Sequence, residues 1–217
     1  MNLVCPLCAG VNCQHFYQQL SKKKPARDFY QCGECRLVFV DPVQRLNAEQ
    51  EKAVYELHEN SVEDLGYREF LSRMQLPLQE RIKPCAHGLD FGCGPGPALS
   101  VMLAEQGYNM SVYDIFYHND KAVFNHHYDF VTATEVAEHL FEPGKVLPQL
   151  WALLESGGVL ALMTKLVIDQ QAFSNWYYKN DPTHVCFFSQ PTFQWLAGKW
   201  NAQLEFIGQD VIILTKP

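Results

Sequence analysis

His87-Gly88-Leu89-Asp90-Phe91-Gly92-Cys93-Gly94-Pro95-Gly96 is the stretch that decides the fold. It opens apolar, places an acid at Asp90, and then turns on three glycines at alternate positions. The run Pro97-Ala98-Leu99-Ser100-Val101-Met102-Leu103-Ala104 follows with helical spacing. The order is strand, tight loop, helix. Glycines let backbone N–H groups approach a ligand with no Cβ in the way, and the N-terminus of the following helix faces that ligand.

Working outward, Asn109-Met110-Ser111-Val112-Tyr113-Asp114 reads as a short strand ended by an acid. Asp114 follows the turn at about the twenty-residue spacing at which a Rossmann-like unit sets a carboxylate against ribose hydroxyls. The turn itself is Gly-Cys-Gly-Pro-Gly, so the third glycine of the dinucleotide fingerprint is missing and a pyrophosphate cradle is disfavoured. Acid, glycine turn and spaced second acid together resemble the first motif of class I S-adenosylmethionine (SAM) methyltransferases. The resemblance implies a Rossmann-like, seven-stranded, mostly parallel α/β sheet. It implies that Asp90, Gly92, Gly94 and Gly96 hold the amino-acid part of SAM and Asp114 its ribose. Phe91, Cys93, Ile115, Thr134 and Glu135 are the further cofactor contacts it suggests. The rival is a glycine-rich turn in some other α/β protein.

Downstream, residues 115–127 show no clean period; a short strand fits there, with His118, His126 and His127 as solvated loop residues. Tyr128–Thr134 reads as a central strand, with Glu135-Val136-Ala137-Glu138-His139-Leu140 at the end where open α/β sheets bind ligands. A helix from Gly144 to about Glu155 carries the apolar stripe Val146, Leu147, Leu150, Trp151 and Leu154, and Ser156-Gly157-Gly158 reads as its glycine cap. Val159–Thr164 is a buried strand. Residues 128–164 resemble the fourth and fifth strands of class I methyltransferases. The insertion 165–189 is rich in aromatics and forms a substrate wall at the ligand edge, or simply packs over the sheet. A helix over 191–200 and strands over 204–208 and 211–215 complete the expected chain.

Upstream, Cys5-Pro6-Leu7-Cys8 and Cys32-Gly33-Glu34-Cys35 are separated by 23 residues. Two Cys-x-x-Cys pairs complete a tetrahedron around one ion, so Cys5, Cys8, Cys32 and Cys35 are the expected ligands of a structural zinc, with Cys13 or His15 able to replace one. Four thiolates leave no open position, which assigns this zinc to folding. Arg36–Pro42 reads as the last ribbon strand. Asn47 with Gln50 forms a capping-box pattern at the start of a helix to about Asn60. Ser61 to about Ile82 reads as a second helix with the stripe Leu65, Phe70, Leu71 and Met74. By resemblance, Tyr55 and Tyr67 are lid residues over the cofactor. The expected organisation is a zinc ribbon over 1–42, a helical linker or lid over 43–84 and a SAM-binding domain over 85–217.

The net charge is −7 over 217 residues, unevenly spread. Residues 1–40 carry Lys22, Lys23, Lys24, Arg27 and Arg36 against Asp28 and Glu34, leaving an acidic body that is a poor platform for a polyanion. No run is long and apolar enough to span a membrane, no signal-peptide pattern opens the chain, and a cytoplasmic location is expected.

Methyl transfer from a sulfonium needs positioning and at most one base. Glu138, His139 and His184 are the catalytic candidates. Glu135, Glu138 and His139 at i, i+3 and i+4 would share one helical face, and with His184 they form a candidate divalent-cation site resembling those of small-RNA 2′-O-methyltransferases and ubiquinone-pathway O-methyltransferases. The expected activity is SAM-dependent methylation of a small-molecule acceptor. The alternatives are an RNA or protein methyltransferase using the basic ribbon for recognition, and a zinc-ribbon adaptor with a vestigial cofactor fold.

Overall fold

A computed structural model describes residues 3–20, 25–57 and 61–217. Lys22, Lys23 and Lys24, the centre of the expected basic patch, lie outside the described residues. Among these residues ten strands and six helices follow one another. β1 (Cys13–Gln19), β2 (Arg27–Cys32) and β3 (Val38–Val40) form the ribbon, and α1 (Ala48–Tyr55) and α2 (Leu65–Gln79) lead to the main sheet. That sheet is built from β4 (His87–Phe91), β5 (Asn109–Tyr113), β6 (Tyr128–Thr134) and β7 (Leu154–Met163), with α3 (Ala98–Ala104) and α4 (Pro143–Ala152) between them. The insertion holds α5 (Gln170–Asn175) and β8 (Cys186–Phe187), and the chain ends with α6 (Gln190–Trp200), β9 (Gln203–Ile207) and β10 (Val211–Thr215).

The main sheet has the order β5-β4-β6-β7-β10-β9. β5, β4, β6 and β7 run parallel, and β10 is antiparallel to both its neighbours, so β9 runs with the parallel set. The α/β class is the one expected, a mostly parallel Rossmann-like sheet. Among the described residues the sheet carries six strands, because residues 114–127 take no strand. Asp114 and His118 pair backbone to backbone, the Asp114 carboxylate caps the N–H groups of Phe116 and Tyr117, and Asp120 caps a 3₁₀ turn over Lys121–Asn125. Local side-chain caps compete here with strand pairing. His126 and His127 are exposed, as expected; His118 is half-buried.

The core of the sheet follows from continuous apolar strands. β6 and β7 bury Phe130, Val131, Leu160, Ala161, Leu162 and Met163 on both faces. Gly88 lies so close to Phe130 that a Cβ there would come within 2.1 Å of the ring. α2 starts at an Asp64 cap, and it buries Leu71, Met74 and Leu78 but not Leu65, which is 81% exposed at the first turn. The capping box of Asn47 and Gln50 is present at α1. Gly157 and Gly158 do not cap α4, which ends at Ala152. They sit in a bulge of β7, where Tyr128 pairs with Leu154 but Phe130 pairs with Val159, and the C-terminal Lys216 bonds both glycines.

The ribbon is joined to the sheet domain. Its antiparallel sheet has the order β1-β2-β3-β8, so its fourth strand comes from the insertion after β7. Cys5, Cys32, Cys35, Leu37 and Phe39 share one core with Tyr128, Leu147, Val185 and Phe188. Among the described residues no helix is long and apolar enough to cross a membrane.

Candidate active site

The glycine turn follows from β4 directly. Gly92 (φ 74°) and Gly94 (φ 66°) are left-handed, a region that a side chain occupies at a cost. A Cβ on Gly92 would meet Val136 Cγ2 at 2.4 Å, whereas a Cβ on Gly94 would meet nothing within 4 Å and would point into open space. The Gly94 N–H donates to Asp114 Oδ2 at 3.0 Å, and Asp114 Oδ1 accepts from Phe116 and Tyr117 at 2.8 and 3.1 Å. The two acids of the motif therefore have different tasks. Asp114 ties the glycine turn to the loop after β5 and faces the cavity. Asp90 is fully buried, accepts from Thr132 Oγ1 at 2.7 Å, and does not line the cavity. Burial pushes its carboxyl up to about 6, with the Thr132 hydroxyl pulling the other way.

The cavity beyond the strand ends has a volume of about 1020 Å³. One end is walled by Phe91, Gly92, Cys93, Gly94, Asp114 and Ile115; Thr134 and Glu135 lie on its floor. Gly96 is not part of the wall. Tyr55 and Tyr67 both line it, as their lid reading requires. The lining also includes Phe116, Leu140, Phe141 and Val146, with His139, Asp181 and His184. Thr134 Oγ1 and Glu135 Oε1 are buried and lack a partner among the described residues. A buried, unpaired oxygen is costly unless a ligand meets it. The open face of Gly94, the Asp114 carboxylate and these orphaned oxygens fit a polar nucleoside with an amino-acid tail. Gly94→Val should therefore lower affinity for S-adenosylhomocysteine by roughly a hundredfold, about 3 kcal/mol, together with a fall in melting temperature from the left-handed φ alone. Gly92→Ala adds the collision with Val136 to the same backbone strain and should act mainly on the melting temperature. Calorimetry on both variants separates the two effects.

Glu138 sits in a 3₁₀ turn over Ala137–His139, fully buried, and does not itself line the cavity. Its Oε1 accepts from the Tyr178 hydroxyl, and its Oε2 lacks a partner among the described residues. Burial raises its pKa, and His184 works against that rise. His184 Nδ1 lies 2.7 Å from the Tyr178 carbonyl, and His139 Nδ1 lies 3.3 Å from the Thr183 carbonyl. A carbonyl only accepts, so both imidazoles carry their proton on Nδ1 and present Nε2 as a lone pair. The rings meet edge to face at 4.7 Å. One ligand atom each from Glu138, His139 and His184 lie within 4.8 Å of one another.

The expected four-residue set is therefore brought together as three. Glu135 is not on a shared helical face, because it is left-handed (φ 53°) at the end of β6. It touches the group through the Tyr178 hydroxyl, 3.5 Å from Oε2. Burial and then the neighbouring Glu138 push its carboxyl up to about 8. Tyr178, which joins these groups, is a residue that sequence reasoning missed: nothing sets it apart from Trp176 and Tyr177 beside it.

The cysteine cluster is a second, separate centre. Cys5, Cys8, Cys32 and Cys35 come together, with Cys5–Cys35 and Cys8–Cys32 sulfur distances of 3.5 and 3.4 Å. A zinc tetrahedron with bonds of about 2.3 Å has an edge of about 3.8 Å. Both turns have the same backbone: Cys5 and Cys32 bond the carbonyls of Gly10 and Leu37, and a left-handed residue, Ala9 or Arg36, follows the second cysteine. This donor set fits a tetrahedral zinc. Cys13 and His15 are not part of it; they bond Gly10 O and Asp28.

A Rossmann-like sheet with a glycine turn, a spaced acid and a cavity at the strand ends defines a SAM-dependent methyltransferase. A family model described as "Methyltransferase domain" matches residues 63–206, and the chain belongs to that family. Solved structures share the fold at low identity. A SAM-dependent methyltransferase from Archaeoglobus fulgidus is 17% identical with a TM-score of 0.52, over 69% of this chain and 94% of that one. Magnesium protoporphyrin IX methyltransferase from Synechocystis PCC 6803, with bound S-adenosylhomocysteine, is 13% identical at 0.52, over 78% and 94%. Burkholderia thailandensis 1,6-didemethyltoxoflavin-N1-methyltransferase is 15% identical at 0.51, over 91% and 97%. No curated protein matches the chain.

Proposed function

We propose that this enzyme methylates a small molecule with an apolar body and one ionisable acceptor atom, and that Glu138, His139 and His184 remove the acceptor's proton. The observation that carries this reading is the set of apolar and imidazole side chains that share the cavity lining. Phe116, Leu140, Phe141 and Val146 suit an apolar ring or chain; His139 and His184 line the same cavity, and one ligand atom of each lies within 4.8 Å of the buried Glu138 carboxylate behind them. The Tyr55 and Phe116 rings meet at 5.8 Å, and Tyr55 lies edge-on to His139 at 5.3 Å.

In this reading the Gly92–Gly94 turn and Asp114 hold SAM, whose sulfonium supplies the methyl group and the leaving group. The chain positions the acceptor in line and accepts its proton on a His Nε2. Glu138 holds the imidazolium that results. The same donor set, two imidazoles and one carboxylate, fits a divalent cation held by Glu138, His139 and His184; when bound, such an ion would polarise the acceptor and favour its ionised form.

The recognition-arm alternative loses support from Arg27, which the fold spends on loop carbonyls. The deciding experiment incubates the purified enzyme with radiolabelled SAM and size-fractionated cell extract. Label in the small-molecule fraction is the expected result. Label confined to RNA or protein overturns the reading.

His184 also sets a pH dependence. Burial, then the adjacent His139, lowers its pKa below the ordinary histidine value of 6.5. A lowered imidazole stays neutral and able to accept a proton through neutral and weakly acidic solution. The acid limb of the pH–rate profile should therefore fall below the ordinary histidine range. The stability term has the same sign: it is complete above 6.5 and is lost as pH falls through the lower folded value. A rate that halves near or above 6.5 would contradict the assignment.

A further inference from the structure

One guanidinium of the ribbon is committed to the loop that carries His184. Arg27, the first residue of β2, is half-buried. Its Nη1 donates to the Lys179 and Asp181 carbonyls at 2.9 and 2.8 Å, and its Nη2 to the Pro182 and His184 carbonyls at 3.2 and 2.5 Å. The carbonyls that Arg27 does not take include those of Tyr178 and Thr183, and these two accept from His184 and His139. Segment 178–184 is therefore folded around Arg27 with two of its carbonyls turned to the two imidazoles.

The next residue closes the arrangement. Val185 donates its N–H to the Glu138 carbonyl at 2.8 Å and accepts from Val40 N–H at 2.9 Å, after which β8 pairs with β3. The far end of β2 is Cys32, a member of the cysteine cluster. The ribbon thus meets the Glu138–His139–His184 group through both a strand pairing and a four-way fork. Lysine cannot reproduce the fork, because its donors radiate from a single nitrogen on a flexible stem.

We propose that Arg27 is a positioning residue for methyl transfer. It holds the carbonyls of Lys179, Asp181, Pro182 and His184, which fixes the segment whose Tyr178 and Thr183 carbonyls keep His184 and His139 in their Nδ1–H tautomers, and it makes the ribbon a built-in wall of the acceptor end. The inference rests on the reading of Glu138, His139 and His184 as that end. The cofactor end owes Arg27 nothing: the Gly92–Gly94 turn and Asp114 are held by β4, β5 and each other.

The test uses the full chain, as wild type, Arg27→Lys and Arg27→Gln. Three readouts are S-adenosylhomocysteine affinity by calorimetry, the imidazole ¹H–¹⁵N correlations of His139 and His184, and label transfer from SAM into the small-molecule extract fraction. Affinity should stay within about twofold. The protected Nδ1–H signals should be present in wild type and lost, at least for His184, in both variants. Label transfer should fall roughly tenfold to a hundredfold, the usual cost of losing a group that orients a functional imidazole. Unchanged imidazole signals in Arg27→Lys overturn the proposal, as does a folded variant that no longer binds S-adenosylhomocysteine. If Arg27→Gln does not fold, Arg27→Lys and hydrogen exchange on the wild type decide: amides of 178–187 that exchange as freely as an open lid also overturn it. His184→Asn, run in parallel, separates the two claims. Full label transfer by that variant removes the acceptor-end reading, while the tautomer signals still report on Arg27.

Discussion

Cys32→Ser is expected to melt the whole chain early, the sheet domain together with the ribbon. Cys32 and Cys35 are fully buried, Cys5 is 2% exposed, and all three lie in the same apolar core as Tyr128, Leu147, Leu150 and Phe188. The first cysteine turn also rests on α4: Gly144 N–H donates to the Pro6 carbonyl at 3.0 Å, and a Cβ on Gly144 would meet the Leu7 carbonyl at 2.3 Å. A thiolate cage that binds zinc converts binding energy into folding energy. Its loss leaves three sulfurs with no fourth partner inside the core, which belongs to the class of changes costing about 4 kcal/mol or more. For a chain of this size that is a fall in melting temperature of about 10 °C or more. Stripping the metal with a strong chelator should do the same, and added zinc should reverse it. The measurement is a thermal melt followed by circular dichroism and by the fluorescence of the stacked pair Trp151 and Trp200, which lies on the sheet domain. Both probes should shift together. A ribbon that unfolds while the tryptophan transition stays in place would show that the cysteine cage supports itself alone.

The parts legible in the sequence are those whose geometry is local. The strand–turn–helix of 87–104 is written in adjacent residues, because only glycine accepts φ values near +70° without strain and because Asp114 ends the next strand at a fixed distance. The two Cys-x-x-Cys turns are likewise self-contained, each with its own ladder of backbone bonds. The capping boxes at Asn47 and Ser189 act over three residues, and that at Asn47 was visible as a pattern. What the sequence hid is what only long-range contact makes. The pairing of β3 with β8 joins residues about 150 apart, so the ribbon reads as a separate module although it shares a sheet with the insertion. Arg27 reads as one more positive charge in a basic segment until four distant carbonyls surround it. The Glu135–Glu138–His139 spacing suggested a helical face, but Glu135 is left-handed and the tighter 3₁₀ turn places Glu138 and His139 by a different route. The glycine pair 157–158 looked like a helix cap because composition alone does not separate a cap from a bulge; the register of β6 against β7 does.

His184→Asn and Glu138→Gln should each lower methyl transfer by about 10²- to 10⁴-fold, the range expected when a positioned acid–base group is lost, with S-adenosylhomocysteine affinity unchanged. The reason is geometric. His184 is held at Nδ1 by the Tyr178 carbonyl, and Nε2 lies 3.9 Å from Asp181 Oδ2; the ring is aimed before any acceptor arrives. Asparagine cannot place a basic nitrogen at that point. Glu138 is the only carboxylate in the three-membered set, and its second oxygen is left without a partner among the described residues; its Oε1 lies 3.9 Å from His139 Nε2, while Asp181 Oδ2 lies 3.9 Å from His184 Nε2, so a positive charge on the pair is compensated by both acids. Glutamine keeps the size and loses the charge. The double variant His139→Asn/His184→Asn should be no worse than the poorer single one, because groups that act as a unit do not add. Chelation then separates two forms of the same chemistry. A rate that a chelator abolishes and manganese or magnesium restores means that Glu138, His139 and His184 act through a bound ion; a rate indifferent to chelator means that the imidazole takes the proton itself. Single variants that transfer label at the wild-type rate under both conditions would place the acceptor elsewhere in the cavity.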